Sequence, residues 1–184
     1  MSTSITWDES FRPSYTPPEM IELGVFEGLY VAAIPDLPSS WYKHPNVLPR
    51  GSESDIEINH FKVKSRMSLK DWEEKGWTTK DAPLGWFQWY CYYYLGRRIP
   101  KEDKLQIGRW NSYVARHQGQ IVAAKQTTDL TKRVKQRQGL LQWAWDSTKE
   151  YNDINKRNNL IRLTKEYPVQ VKREKSSKSV IEKW

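Results

Sequence analysis

The sequence has 184 residues and a formal net charge of +8; 38% of its residues are hydrophobic, and it has ten tryptophans and ten tyrosines. A chain of this length supports one hydrophobic core, and large rings that each bury about 150–250 Å² can build it where aliphatic residues are few. The single cysteine, Cys91, excludes an internal disulfide framework and a cysteine-rich zinc site. No segment has the pattern of a signal peptide or the roughly 20 apolar residues of a membrane span, so we expect a soluble, intracellular protein without a membrane partner.

The charge is distributed unevenly along the chain. Residues 1–60 carry three basic and nine acidic side chains, a net charge of −6, whereas residues 97–137 carry eleven basic and three acidic ones, a net charge of +8. A basic segment of this density indicates an anionic partner, although a solvated surface would have the same composition.

The N-terminal part of the chain is predicted to contain loops and short elements, because seven of the ten prolines lie in its first 50 residues. A short helix is predicted after Thr16, where Thr-Pro-Pro-Glu forms a capping box, Pro17 takes the first helical position and Gly24 ends the helix. The stretch VFEGLYVAAI that follows fits a helix or a strand. Residues 35–59 are predicted to be irregular.

Two further capping signals precede the aromatic part of the chain. Ser68 and Asp71 predict a capped helix of two turns that ends at Gly76. Asp81 is a candidate N-cap for a helix that begins near Ala82 and ends at Gly96.

That helix contains the block GWFQWYCYYYLGRR, in which seven of fourteen residues are aromatic. A helix that is apolar around its whole circumference is typically buried, and Cys91 agrees because free cysteine is among the most buried residue types. The alternative is an exposed surface whose rings stack on bases, worth about 1–3 kcal/mol per base. We predict a buried central helix, with Arg97 and Arg98 marking the place where the core meets an anion.

Two long helices are predicted to pack against the aromatic one. The first covers residues 101–124, with Ile107, Trp110 and Val114 on one face, and the second covers residues 130–150. The fold class is therefore predicted as mainly α. We expect a single compact domain over 1–150, composed of an acidic, proline-rich wrap (1–60) and a helical core (61–150), and a polar, basic extension over 151–184 with a weaker helix at 153–166.

Basic residues at the helix ends are the candidate nucleic-acid-binding site. Several of them crowd the start of the helix near residue 132, where the positive end of the helix dipole disfavours cations. A phosphate backbone would explain that placement, and salt bridges to the acidic N-terminal region would explain it as well. The candidate residues are Arg97, Arg98, Lys101, Arg109, Arg116, Lys132, Arg133, Lys135 and Arg137.

No catalytic motif stands out. The three histidines lack metal-ligand spacing, and the sequence has neither a glycine-rich phosphate loop nor a nucleophile elbow. Cys91 is a poor nucleophile inside an aromatic helix. His117 follows Arg116 and could bind phosphate or act as a base, although a lone histidine usually does neither. We predict no cofactor and no metal site, and whether the protein is an enzyme stays open.

Four segments together resemble an uncharacterised family of small proteins: TPPEMIELGVFEG, GWFQWYCYYYLGRR, DKLQIGRW and RQGLLQW. That family occurs in T4-like marine phages, other large DNA viruses, algae and fungi, and shares a GWFQWYC-x-YY-x-GRR block. The resemblance spans residues 16–145, and the family commonly has an arginine at the position of Tyr92. It implies a viral or phage protein that acts in the host cytoplasm or in the virion.

The charge pattern and the resemblance lead to one principal functional expectation. We expect binding of nucleic acid, DNA before RNA, without strong sequence preference and through a basic helical face. A virion structural protein or a protein that contacts other viral or host proteins is the first alternative. An enzyme that modifies nucleic acid or nucleotides is the second.

Overall fold

Helices form the regular secondary structure of residues 6–149, the part of the chain that the computed structural model describes. Single-turn 3₁₀ helices add to them at Phe26–Gly28, Val31–Ala33 and Ile56–Ile58, and these residues contain no strand. The predicted mainly α fold is confirmed. The α-helices are α1 (Pro17–Leu23), α2 (Ser39–Tyr42), α3 (Leu69–Glu74), α4 (Trp86–Tyr94), α5 (Pro100–Ala123) and α6 (Val134–Gln142).

The short N-terminal helices follow their capping signals. At α1, the Thr16 N–H donates to the Glu19 carboxylate over 2.7 Å and the Glu19 N–H donates to the Thr16 hydroxyl, which completes the predicted capping box. Ser68 and Asp71 form the same reciprocal pair at α3, although α3 ends at Glu74, two residues before the predicted stop. The stretch that fitted either a helix or a strand consists of two 3₁₀ turns.

The aromatic helix α4 is the centre of the core. All nine of its residues are buried, and burial raises the pKa of the Cys91 thiol well above its ordinary value, so that the thiol stays protonated. The helix begins at Trp86 and not near Ala82, because the Gly85 N–H donates to the Ala82 carbonyl and closes a turn there. Gly85 has a φ of 94°, a conformation that glycine adopts readily and other residues avoid.

Rings from the N-terminal segment complete this core. Phe11 is fully buried and meets the rings of Trp89 and Tyr90 at centroid distances of 5.4 Å. The polar atoms of the α4 rings have partners: the Tyr90 hydroxyl donates to the Tyr15 carbonyl over 2.7 Å, and Trp89 Nε1 donates to the Asp103 carboxylate over 2.8 Å. Edge-to-face rings with satisfied hydrogen bonds explain how a chain with few aliphatic residues builds a core.

The long helix α5 lies within one residue of its predicted bounds and buries the predicted face, which includes Ile107, Trp110 and Val114. The next helix, α6, is much shorter than the predicted 130–150. Arg133 takes a left-handed conformation with φ of 54° immediately before α6, and Ala144 does the same with φ of 55° shortly after it. These two backbone positions limit α6 to nine residues.

In residues 6–149, no helix is both long enough and apolar enough to cross a membrane. The predicted extension over 151–184, with its weaker helix at 153–166, lies outside the described residues, and its prediction stays as stated.

Candidate nucleic-acid interface

Three of the nine predicted site residues serve the interior of the fold. Arg97 exposes 4% of its surface, donates to the Asp81 carbonyl over 2.9 Å and lies over the Tyr92 ring, and burial lowers the pKa of its guanidinium. Arg98 covers the Tyr93 ring, with its guanidinium carbon 3.6 Å from the ring centroid. Both arginines therefore stabilise the C-terminal end of α4.

Arg137 is the most deeply buried of the nine residues, with none of its surface exposed. Its guanidinium donates to the carbonyls of Lys132 and Asp129 over 2.8 and 3.0 Å, to the Gln126 carbonyl, and to the Ser147 hydroxyl over 2.8 Å. Burial lowers the pKa of this guanidinium. Arg137 thus holds the turn between α5 and α6 against the chain that follows α6.

A second group of predicted residues follows one face of α5. Lys101, Arg109 and Arg116 all line a large cleft of about 1130 Å³, and Lys104 lies on the same face. Lys101, Lys104 and Arg116 are exposed, whereas Arg109 is half-buried and donates to the Trp77 carbonyl over 2.6 Å. We call these four side chains the basic rim.

The walls of the cleft are predominantly aromatic and aliphatic, and we call it the aromatic cleft. Its most exposed ring is that of Trp77, with 41% of the residue surface exposed, and exposed Met67, Leu69 and Leu105 add aliphatic surface. Burial raises the pKa of the Tyr113 phenol to about 12, so that the ring stays neutral at physiological pH. The rings that line the cleft belong to Phe26, Tyr30, Trp72, Trp77, Trp86, Phe87, Tyr113, His117 and Trp143.

Several of these rings are fixed by stacking on one another. Tyr113 stacks on Trp143 with centroids 4.7 Å apart and an interplanar angle of 13°, and Trp143 stacks on Trp72 at 6.3 Å and 24°. Trp72 also packs over the backbone of Gly85, where a Cβ atom would lie 2.8 Å from the indole ring. The ring surfaces of the aromatic cleft are therefore held in place before any ligand arrives.

The third group, Lys132, Arg133 and Lys135, is exposed at the start of α6 and does not itself line the aromatic cleft. Gln136 connects the two: its Nε2 lies 3.0 Å from His117 Nδ1, and Arg133 Nη1 donates to its Oε1 over 3.2 Å. In residues 6–149, none of these three side chains pairs with a carboxylate, so the salt bridges to the acidic N-terminal region that we considered are not formed there. We call these three side chains the α6 cluster.

His117 lies between the basic rim and the α6 cluster, and its surroundings favour the neutral imidazole. Burial lowers the pKa of its imidazole from the ordinary value of 6.5, and the neighbouring charge of Arg116 lowers it further. His117 also packs against the Tyr113 ring at a centroid distance of 4.2 Å. At neutral pH it therefore contributes a neutral ring to the cleft.

The acidic residues near Arg97 are Glu102 and Asp103, and both accept hydrogen bonds from other residues of the fold. Glu102 Oε1 accepts hydrogen bonds from the Thr79 hydroxyl and the Gln106 amide, and the two Asp103 oxygens accept from Trp89 Nε1 and the Ile99 N–H. Burial raises the pKa of the Asp103 carboxyl. Neither carboxylate lines the aromatic cleft, and the described part of the chain brings no three His, Cys, Asp or Glu residues together as a metal-binding group.

Sequence reasoning identified the cations of α5 and α6 but not the aromatic cleft between them. The accessible rings include exposed Trp77 and half-buried Trp72, Tyr113 and Trp143, which lie outside the conspicuous aromatic block. A signal was present in α5, where cleft residues recur from Lys101 to His117 at helical spacing on the side opposite the buried face. Nothing in the sequence placed Trp72 or Trp143 beside that face.

Three of the nine predicted residues therefore line the aromatic cleft, three are exposed at the start of α6, and three stabilise the interior. Comparisons of the chain with protein-family models, curated proteins and solved structures found no match. The likeness to the phage and viral family accordingly stays a prediction.

Proposed function

We propose that this protein binds single-stranded nucleic acid, with its phosphates on the basic rim and the α6 cluster and its bases on the rings of the aromatic cleft. One observation supports this proposal above all: exposed cations line the same cleft as the exposed Trp77 ring and the half-buried rings of Trp72 and Trp143. Proteins that bind single strands without sequence preference combine these two features, because every base has a ring face and every nucleotide has a phosphate.

The arrangement favours a single strand over a duplex. Bases inside a duplex already stack on each other and present only their edges in the grooves, so they cannot reach rings such as Trp77 and Trp72. An unpaired base can stack on an exposed ring, at about 1–3 kcal/mol per base. DNA and RNA single strands both offer these faces, and DNA is our first expectation.

The phosphate contacts would come from side chains that lack acidic partners in the described structure. Lys101, Lys104 and Arg116 are exposed at the basic rim, and α6 begins without a side-chain cap. The free N–H groups of that first turn attract anions, which makes the location of the α6 cluster favourable once a phosphate is present.

The test is the affinity for a single-stranded oligonucleotide of about 15 nucleotides, measured by fluorescence anisotropy at several salt concentrations. With about five to seven phosphates contacted, the slope of log K against log salt is expected near −3.5 to −5. A duplex of the same length should bind more weakly at each salt concentration.

A pair of charge-reversal variants locates the site. Lys101→Glu with Arg116→Glu should weaken single-strand binding about 10- to 100-fold and reduce the magnitude of the salt slope by about 1.4. Lys43→Glu with Arg50→Glu reverses two exposed charges outside the cleft lining and should leave most of the affinity intact. Equal losses in the two variants, or no binding by the wild-type protein at low salt, would contradict the proposal.

The aliphatic surface of the cleft favours a second candidate function, the binding of a partner protein. Met67, Leu69 and Leu105 are 38–42% exposed beside the basic rim, a combination that suits an acidic amphipathic helix. This candidate predicts that such a helix binds whereas oligonucleotides do not compete for its site. Competition between the two would show that both ligands occupy the same cationic surface.

A further inference from the structure

The aromatic cleft contains an unusual polar group, the side-chain amide of Gln142. Gln142 exposes 6% of its surface, lines the cleft beside Trp143, and its Nε2 has no hydrogen-bond partner in the described structure. Buried amides normally have partners, so a free donor at the wall of a predominantly apolar cleft needs an explanation.

A second unpaired donor lies in the same lining. Arg66 Nη2 donates to the buried Glu27 carboxylate over 3.0 Å, which fixes the guanidinium, while Arg66 Nε is buried without a partner in the described structure. Gln142 and Arg66 line the same cleft, and two unpaired donors in one lining indicate a ligand that combines a flat ring with hydrogen-bond acceptors. A purely apolar ligand would leave both donors unpaired.

We infer that the aromatic cleft receives one unstacked base at a time, and that the Gln142 side chain, whose Nε2 is buried in this structure, turns to donate to the carbonyl oxygen of that base. This inference rests on the proposed function, since the base belongs to the bound single strand. Thymine and uracil carry two ring carbonyls and fit the donors best, whereas a nucleotide without a base retains only the phosphate contacts. The basic rim would hold the flanking phosphates whether or not a base is present.

The variant Gln142→Leu tests the inference because it removes the donor and keeps the approximate volume. The free amide has no partner to lose, so the variant should unfold at the same urea concentration as the wild-type protein or a higher one. Its affinity for an oligothymidine should fall about tenfold, the size expected for one buried hydrogen bond. Its affinity for an abasic oligonucleotide of equal length should not change.

The control variant is Thr128→Val, which removes an exposed hydroxyl outside the cleft lining and should leave both affinities unchanged. If Gln142→Leu binds oligothymidine as tightly as the wild-type protein does, the inference is wrong while the proposed function stands. If the wild-type protein binds neither oligonucleotide, the proposed function fails and this inference fails with it.

Discussion

The guanidinium of Arg137 lies inside the fold and donates hydrogen bonds to backbone carbonyls on both sides of α6. Arginine suits this position because its planar group presents five donors in a fixed geometry. Arg137 therefore fixes the turn that precedes α6 and binds Ser147, which follows the helix. The contribution of Arg137 should therefore appear in the free energy of unfolding.

Replacing Arg137 by methionine is expected to lower the free energy of unfolding by about 3–5 kcal/mol, because several backbone carbonyls and the buried Ser147 hydroxyl lose their donor at once. Urea denaturation followed by tryptophan fluorescence measures this change. Lys135→Met, two residues away and exposed, should change stability by less than about 0.5 kcal/mol. Similar stabilities for the two variants would contradict this structural role of Arg137.

His117 makes the stability of the protein depend on pH. Burial and Arg116 lower the pKa of its imidazole below 6.5 in the folded state. The unfolded chain therefore takes up a proton at this position at a higher pH than the folded chain does. Above the pKa that His117 has in the unfolded chain, the imidazole is neutral in both states and does not change the free energy of unfolding. As the pH falls from that value through the pKa of the folded state, protonation of the unfolded chain lowers the free energy of unfolding.

Urea denaturation of the wild-type protein and of His117→Gln at about pH 8 and about pH 5.5 measures this effect. The wild-type protein should lose more stability on acidification than the variant, because glutamine does not titrate. If both proteins lose the same amount, the pKa of His117 is not lowered by the fold.

These residue-scale roles were only partly predictable from the sequence. Arg137 and Arg116 look alike in the sequence, since both are arginines in basic helical segments, and only the tertiary structure buries one and exposes the other. A helix-face analysis indicates which of the two faces the core only when the helix bounds are known. Arg133, in its left-handed conformation, moved the start of α6 away from the predicted position.

At the scale of elements, two helical glycines differ in what surrounds them. Gly119 in α5 has open space where a Cβ atom would stand, whereas a Cβ atom at Gly139 in α6 would lie 2.5 Å from the Tyr113 hydroxyl. Gly139 thus permits α6 to approach the side of α5 that carries the aromatic cleft. Close packing of these two helices positions Tyr113 against Trp143.

The variant Gly139→Ala is expected to lower the free energy of unfolding by about 1–3 kcal/mol, because the added methyl group displaces Tyr113. Gly119→Ala is the matched control and should raise it by about 0.5–1 kcal/mol, because alanine restricts the unfolded chain and favours a helix. Thermal or urea denaturation measures both. A stabilising effect of Gly139→Ala would show that α5 and α6 are less closely packed than described.

The elements that the sequence predicted well are those with local signals. The reciprocal caps at Thr16 and Ser68 and the proline that opens α5 act within one turn of the chain, so neighbouring residues suffice to predict them. The ends of α6 and the start of α4 depend on residues with positive φ, such as Arg133 and Gly85. No local pattern distinguished these positions from ordinary helical ones.

At the scale of the whole molecule, the candidate site is a cleft assembled from separate segments of the chain. The basic rim comes from α5, the α6 cluster from the start of another helix, and the accessible rings from α3, from exposed Trp77 and from half-buried Trp143. The sequence indicated the cations because charge density is a local property. It did not indicate the cleft, because the rings that form it are distant in sequence and lie outside the aromatic block.

Photocrosslinking locates the bound bases on the protein. A single-stranded oligonucleotide that carries 5-iodouracil is bound to the protein and irradiated, and the modified residues are identified by mass spectrometry. We expect adducts on cleft rings, foremost the exposed Trp77, and loss of these adducts when excess unmodified strand competes. Adducts confined to residues outside the aromatic cleft, with binding intact, would show that the bases bind elsewhere.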